Sequence, residues 1–502
     1  RGPPPTAAPP PSAAAGDPRY RIHSRRLPHA IDAERAFVHL YGAEPHAFWL
    51  DSSLVRPGLS RFSFMGGGGG PHGQRLEHDA QTRTLTVTRG AQTTQHTQDL
   101  LDYLDHALAQ RRCPCPELPF EFNGGFVGYL GYELRAELGG AVHHPSSLPD
   151  ACLLLADRLL AFDHEAPAVY LVCLAAEGEH ADAEAWLDAT EARLRALPEP
   201  TPLDAKLPPP SSPSSPEPPV DALGFRLARS RAAYLHDIER CLGELRAGQS
   251  YELCLTNELA TEARPDPLTL HRILRATNPA PFAAFLRFGD LAVACASPER
   301  FLRVDRGGRV EARPIKGTAP RGPTPERDTA LREGLRESPK DRAENLMIVD
   351  LLRNDLGSVC AVGSVAVPRL MDVETYASVH QLVSTVVGQL APGRPATDCV
   401  RAAFPGGSMT GAPKRRTMEI LERLEARPRG VYSGAIGYFG LGGGLDLNIV
   451  IRTAVLTPRG VTIGAGGAIV TLSDPAQEFD EVLLKARPVM RAVAAALRPV
   501  DA

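Results

Sequence analysis

Ten prolines fall between residues 198 and 219, and six more fall within residues 1–16. Proline fixes φ and donates no backbone hydrogen bond, so neither segment can be a helix interior or a central strand. Both therefore read as linkers. The other 31 of the 47 prolines are spread at an ordinary density, which makes the rest of the chain globular material. The expected organisation is a linker at 1–19, an N-terminal subdomain at 20–197, a second linker at 198–222 and a larger domain at 223–502. At 502 residues a substantial core can form.

Charge and cysteine usage narrow the partners. The net charge is −4, and no stripe dense in Lys and Arg with interleaved aromatics occurs, which speaks against nucleic acid. No run of 18 apolar residues is present, so no membrane-spanning helix is expected. Nine cysteines are scattered singly apart from Cys113-Pro114-Cys115. Without Cys-x-x-Cys spacing they suggest neither structural zinc nor a disulfide scaffold, and a reducing cytoplasm fits that usage. The start, Arg1-Gly2-Pro3, reads as an internal linker and not a secretion signal. One bias stands out: of 55 basic residues 50 are Arg and five are Lys. Lys206 lies in the central linker, whereas Lys316, Lys340, Lys414 and Lys485 lie in or beside motifs of the second half.

Periodicity predicts helices over 181–197, 231–247, 325–336, 339–355, 397–404, 413–426 and 475–496. Strands are expected over 84–88, 168–174, 251–259, 282–288 and 291–296, around the turn Asp305-Arg306-Gly307-Gly308, and over 431–439, 446–456 and 461–467. Gly66 to Gly70 are five consecutive glycines followed by no helix-start pattern, so they read as a mobile surface loop and not a phosphate cradle. Strand runs broken by helices, without regular βαβ alternation, predict an α+β fold.

Five segments carry chemistry. Asp474-Pro475 is a helix start, and Glu478, Glu481 and Lys485 follow at spacings of three and four, on one face. They read either as a solvated face with a weak ion pair or as part of a site for a hard cation such as Mg²⁺. Such a cation needs carboxylates from more than one element, and Glu344, where residues 340–350 turn apolar, is a further candidate. Lys316 sits in Arg313-Pro314-Ile315-Lys316-Gly317-Thr318, either as an exposed strand end or as an amine able to attack carbon, which guanidinium cannot do. The second role requires its pKa to fall from about 10.4 through burial or a nearby cation. Residues 404–414 form a Gly-rich turn into a helix, suited to an anion or simply to tight turning. Gly464-Ala465-Gly466-Gly467 either exposes backbone donors or lets strands approach closely.

Together these segments resemble the chorismate-utilising enzymes, which include anthranilate, isochorismate and salicylate synthases and the synthases of 4-amino-4-deoxychorismate. The likeness is strong over 223–498 and weaker over 20–195, through residues 51–66 and Gly124-Gly125-Phe126-Val127-Gly128-Tyr129. It implies two α/β subdomains around packed antiparallel sheets, with the active site between them. It also implies that Glu344, Glu478 and Glu481 hold Mg²⁺. Chorismate would be bound by Gly317, Thr318, Tyr432, Arg452, Lys485 and the backbone of Gly466, Gly467 and Ala468. Glu299, in Ser297-Pro298-Glu299-Arg300, resembles the residue that acts as acid and base on the leaving hydroxyl.

Within the family, Pro-Ile-Lys-Gly-Thr resembles the members in which the lysine attacks ring carbon 2 and ammonia then enters at carbon 4, giving 4-amino-4-deoxychorismate with its pyruvyl group retained. Anthranilate synthases, the alternative, carry a small residue where Lys316 stands. A non-catalytic subunit that regulates a glutaminase would be expected to have lost these acid, metal and lysine positions, and all are present. Glu252 stands where isochorismate-forming members use a water-activating lysine. The family's histidine before Leu-Val-Ser is here Gln381, so neighbouring His380 is expected to be structural. The resemblance implies an ammonia source, and with no Gly-x-Cys-x-Gly segment a class I glutaminase subunit or an upstream fused domain is expected. Asp51, Ser52 and residues 278–282 resemble the region where relatives hold tryptophan.

Overall fold

A computed structural model describes residues 19–198, 224–376 and 379–498. The two Pro-rich segments fall almost wholly outside these residues. The described chain forms two twelve-stranded sheets in which every strand pair is antiparallel. The first runs from Tyr20–Leu27 through Ala168–Ala176, Arg158–Asp163, Phe62–Gly67 and His46–Asp51. It then continues through Phe282–Phe288, Leu291–Ser297, Thr453–Thr457, Gly460–Ile469, Glu252–Thr261 and Arg226–Leu227, with Gly411–Ala412 also paired to Glu252–Thr261. The second has Ile315–Pro320 at one edge. Its path continues through Val379–Gln389, Arg309–Arg313, Arg300–Val304, Leu445–Ile449 and Ala435–Gly440 to Gly125–Leu130, Ala151–Ala156 and the meander of residues 75–97.

Each sheet contains strands from both sides of the central Pro-rich segment. Trp49 pairs with Phe285 in the first sheet, and Gly128 with Gly437 in the second. The division at 198–222 is thus one of sequence, and the two halves are joined edge to edge by backbone hydrogen bonds.

The layers follow from side-chain alternation. On His46–Asp51, Ala47 and Trp49 join a core with the helices, while Phe48 faces the other sheet beside Phe122, Tyr129 and Ile436. On Ala151–Ala156, Leu153 and Leu155 face helices and Cys152 and Leu154 face the first sheet. The result is helices, sheet, sheet and helices, an α+β architecture in which central strands are buried on both faces. That is why Ala151–Ala156 is wholly apolar.

Helices begin where local chemistry placed them. Asp474 accepts from the Gln477 N–H, with Pro475 in the first turn of Pro475–Ala496. Ser338 does the same for Asp341, ahead of Pro339–Gly357. Two expectations change. Gly66 and Gly67 end the strand Phe62–Gly67, and a Cβ at Gly66 would stand 2.7 Å from the Phe48 ring, so these two serve close packing, and only Gly68 to Gly70 lie in the loop that follows. The strand expected over 446–456 is broken into Leu445–Ile449 and Thr453–Thr457, because the chain there leaves the second sheet for the first. Arg452 makes the turn at φ +54°.

Arg429 ties several of these pieces together. It is buried and donates twice to Glu425 at 2.8 Å, to the carbonyls of Met409 at 2.6 Å and Cys254 at 2.9 Å, and to Ser433. Breaking a buried, hydrogen-bonded ion pair at one partner costs about 3–5 kcal/mol. Arg429→Met is therefore expected to destabilise the protein by about that much, read from chemical denaturation. A variant within 1 kcal/mol of the parent, on the order of a surface change, would refute the role.

Candidate active site

The chain passes from one sheet to the other at two neighbouring corners. Leu291–Ser297 belongs to the first sheet and Arg300–Val304 to the second, so Glu299 occupies the crossing between them. Arg452 occupies the reverse crossing, and the Ile449 N–H donates to the Glu299 carbonyl at 3.0 Å, fastening the corners together. Glu299 lines a small cavity with Ser408 and with Ile348 and Leu352 of helix Pro339–Gly357, and Lys316 and Lys485 lie close enough to act on its charge.

Lys316 lies on the edge strand Ile315–Pro320 of the second sheet, and Glu252 opens the strand Glu252–Thr261 of the first. The Lys316 Nζ donates to Glu252 Oε1 at 2.7 Å, a buried ion pair that bridges the two sheets. Gly317 follows at φ +89°, and a Cβ there would stand 2.9 Å from Asp341, so glycine lets the strand lie against the start of helix Pro339–Gly357. That helix supplies Glu344. Helix Pro475–Ala496 supplies Glu478, Glu481 and Lys485 from the side of the first sheet.

Acids and amines interleave. Lys340 Nζ donates to Glu478 Oε1 at 2.6 Å and lies 3.8 Å from Glu344. Ser473 also donates to Glu478, at 2.7 Å. Lys485 pairs with Glu481 at 2.7 Å and donates to the Gly466 carbonyl at 3.0 Å. Arg452 donates to the Lys485 carbonyl at 2.8 Å. Four carboxylates, Glu252, Glu344, Glu478 and Glu481, thus lie among three ammonium groups, Lys316, Lys340 and Lys485.

Burial and this crowding set the protonation states. Burial lifts the Glu299 carboxyl to about 7 against the opposing effects of a Ser408 hydrogen bond and the Lys316 charge. Burial likewise lifts Glu344 to about 7; Lys316 and Lys340 oppose the rise, and the like charges of Glu252 and Glu478 add to it. Partial desolvation acts against Glu481, but Lys485 holds it below the usual carboxylate range. For Lys316 the expected fall does not occur. Burial pushes it down, yet the carboxylates of Glu252 and Glu344 outweigh burial and hold it above the ordinary lysine range. The pair with Glu252 thus favours its ammonium form.

The glycine-rich strand has a packing reason. Pairing with Thr453–Thr457 ends at Ile463, so from Gly464 to Ile469 one edge of Gly460–Ile469 is free of that partner while the other stays paired with Glu252–Thr261. A Cβ at Gly464 would collide with the Tyr432 ring at 2.1 Å, and one at Gly467 would stand 3.3 Å from Glu478 Oε2. Gly466, Gly467 and Ala468 therefore offer backbone groups beside Lys485 and Glu478.

Thr318 is the predicted residue least engaged: it is exposed, and among the described residues it joins none of the ion pairs or side-chain hydrogen bonds of this cluster. Lys414 is a structural tie, donating to Asp355 and to the Ala403 carbonyl, each at 2.7 Å. His380 is buried between Asp328 and Thr375, at 2.9 Å from each, and Gln381 pairs in register with Thr318. Two members of the cluster lacked an assigned role, Glu252 as the partner of Lys316 and Ser408 as a donor to Glu299. Only their places within recognised motifs pointed to them. Asp51, Ser52, Pro281 and Phe282 line a separate cavity of about 460 Å³ between the sheets.

The profile of the chorismate binding enzyme family matches residues 70–491, and the chain belongs to that family. It is 49% identical over 94% of its length to an aminodeoxychorismate synthase of Streptomyces pristinaespiralis, covering 65% of that protein. It is 38% identical over 94% of its length to an anthranilate synthase component 1 of Streptomyces coelicolor, covering 88% of it. The structure of anthranilate synthase component I from Streptococcus pneumoniae superposes with a TM-score of 0.71 at 29% identity, covering 87% of this chain and 94% of that one. The chain spans about two thirds, or less, of the length of the aminodeoxychorismate synthases it matches. Among the described residues no helix is long and apolar enough to cross a membrane.

Glu299 and Glu344 give a pH signature. Both carboxyls are raised to about 7 in the folded protein, whereas unfolded glutamate titrates near about 4.3. Between these values the folded state binds more protons than the unfolded one, so this contribution to stability falls as pH rises through that window. Glu299→Gln removes one share. Its stability relative to the parent is expected to be greater at about pH 7.5 than at about pH 5, by on the order of 3 kcal/mol. Chemical denaturation at the two pH values checks this, and equal differences would refute it.

Proposed function

We propose that this chain carries the synthase activity that converts chorismate and ammonia to 4-amino-4-deoxychorismate. The observation that carries the reading is Lys316, a buried amine between the sheets beside an acid that holds its proton near neutrality. The sequence similarity to aminodeoxychorismate synthases supports it. So does the presence of lysine at a position where anthranilate synthases carry a small residue.

In this reading Arg452 and Lys485 face the two substrate carboxylates, with the backbone of Gly466, Gly467 and Ala468 as further donors. Tyr432 and Gly317 shape the pocket walls, and Thr318 lies at its exposed margin. The neutral amine of Lys316 attacks ring carbon 2, and the two conjugated double bonds of the ring both shift as the carbon 4 hydroxyl leaves with the proton of Glu299 as water. Ammonia then adds at carbon 4, the lysine nitrogen departs from carbon 2, and Glu299 recovers a proton from the new ammonium group.

The donor set suits Mg²⁺: Glu344, Glu478 and Glu481 come from two helices, and the surrounding carboxylates exceed the ammonium groups by one. These three residues would hold the ion, which supplies charge neutralisation for a substrate carboxylate. Ammonia is supplied by a class I glutaminase, either a separate subunit or a domain of a longer polypeptide; the greater length of the relatives leaves room for one.

Mass spectrometry after incubation with chorismate, ammonium and Mg²⁺ is expected to find 4-amino-4-deoxychorismate, whereas fluorescent anthranilate formed without a lyase would refute the reading. Lys316→Ala is expected to lower turnover by roughly 10³-fold or more while retaining Mg²⁺-dependent chorismate binding; unchanged turnover would rule out covalent catalysis. Glu481→Gln is expected to weaken Mg²⁺ and chorismate binding together, and calorimetry showing parental metal affinity would remove Glu481 from the ligand set.

A further inference from the structure

Lys316 can attack carbon only as a neutral amine, yet its Nζ is engaged in a buried ion pair with Glu252 at 2.7 Å. Something within reach must take its proton. The titratable groups facing it are Glu252 and Cys254 on one strand, Glu344 on helix Pro339–Gly357, Glu299 at the sheet crossing and Glu481 on the last helix. Burial pushes the Cys254 thiol up, so it is no anion. Glu299 already holds a proton near neutrality. Glu344 and Glu481 pair with Lys340 and Lys485. Glu252 is left, with Oε1 at 2.7 Å from the Lys316 Nζ.

Three features suit Glu252 to the task. It is fully buried, and Oε2 has no hydrogen-bond donor among the described residues, so one oxygen of the carboxylate is open to accept. Transfer from N to O turns two buried charges into two neutral groups, which removes the desolvation cost that the ion pair otherwise has to offset. The backbone cannot swing away: Glu252 pairs with Ala412, Leu253 pairs with Ile469, and Ser250 Oγ donates to the Glu252 carbonyl at 2.9 Å. A Cβ at Gly411 would stand 1.9 Å from that same carbonyl, showing how closely the turn clasps it.

We propose that Glu252 is the catalytic base of the lysine, taking one proton from the Lys316 ammonium before attack and returning it once the lysine is released. This rests on the reading of Lys316 as the nucleophile. The balance closes. The ammonium and the carboxylate become amine and carboxylic acid. Bond formation at carbon 2 leaves the lysine nitrogen as a secondary ammonium, and cleavage of that bond by incoming ammonia returns the neutral amine. The Glu252 acid then reprotonates it. Glu299 handles the separate proton of the leaving hydroxyl, so two carboxyl groups serve two protons.

Glu252→Gln keeps the shape but cannot accept a proton. Its kcat is expected to fall roughly 100-fold or more at neutral pH and to climb with pH as Lys316 loses its proton to solvent, while calorimetric chorismate binding stays within a few fold of the parent. Parental kcat and pH profile in Glu252→Gln, with Lys316→Ala inactive, would overturn the base assignment alone. Parental turnover in Lys316→Ala would overturn the nucleophile reading and this assignment with it. Should Glu252→Gln not fold, Glu252→Ala carries the test. Restoration of turnover by added formate supports the base, and no restoration in a folded variant that binds chorismate overturns it.

Discussion

Arg429 uses all five of its guanidinium N–H groups inside the protein, and the geometry of the site depends on it. Its charge is matched by Glu425, which also accepts from the Thr256 N–H and hydroxyl. Its other donors hold the backbone at Cys254 and Met409. The strand that begins at Glu252 and the Gly-rich turn that carries Ser408 are thus fixed to one buried cation. The N–H groups of Arg429 and Gly430 reach Glu133 from the other half of the chain, so the same point joins both halves. A guanidinium is suited to this because its planar fork remains charged where an amine would be free to lose its proton.

The contrast with Lys316 is instructive. Arginine is the ordinary cation of this chain, serving in structural pairs such as Arg429 with Glu425 and Arg300 with Asp446. Lysine stands where four carboxylates crowd together, at Lys316, Lys340 and Lys485. Burial and charge pairing act in opposite directions on Lys316, and pairing wins. The amine is stored as its ammonium next to the group best placed to discharge it. Glu299, with burial winning over its cationic neighbour, also keeps its proton near neutrality, but as a neutral acid. An acid that can give up a proton near neutrality and an amine kept beside a carboxylate are what a leaving group and a latent nucleophile require.

Much of this was legible locally. Asp474-Pro475 and Ser338-Pro339 begin helices because a cap needs only its own next three residues, and Phe282–Phe288 occurs as expected because a buried strand declares itself by composition. Illegible features were those made by distant neighbours. Gly66 is packed by the Phe48 ring and the Arg158 carbonyl, so its glycine run looked like a loop. The break at Arg452 exists because a second sheet lies waiting for the chain, and nothing within residues 446–456 announces that. Glu252 was visible as a departure from relatives, but its partner is 64 residues away.

By itself the sequence determined the family, the α+β character, the helix starts and the residue types available for chemistry, since motif order, capping and burial patterns are carried by short stretches of chain. Only the tertiary structure decided that both halves share both sheets, that the crossings set Glu299 and Arg452 at neighbouring corners, and that Lys316 faces Glu252. Pairing across sheets and the balance of burial against charge are properties of neighbours far apart in the chain, and a protonation state belongs to a place in the fold before it belongs to a residue type.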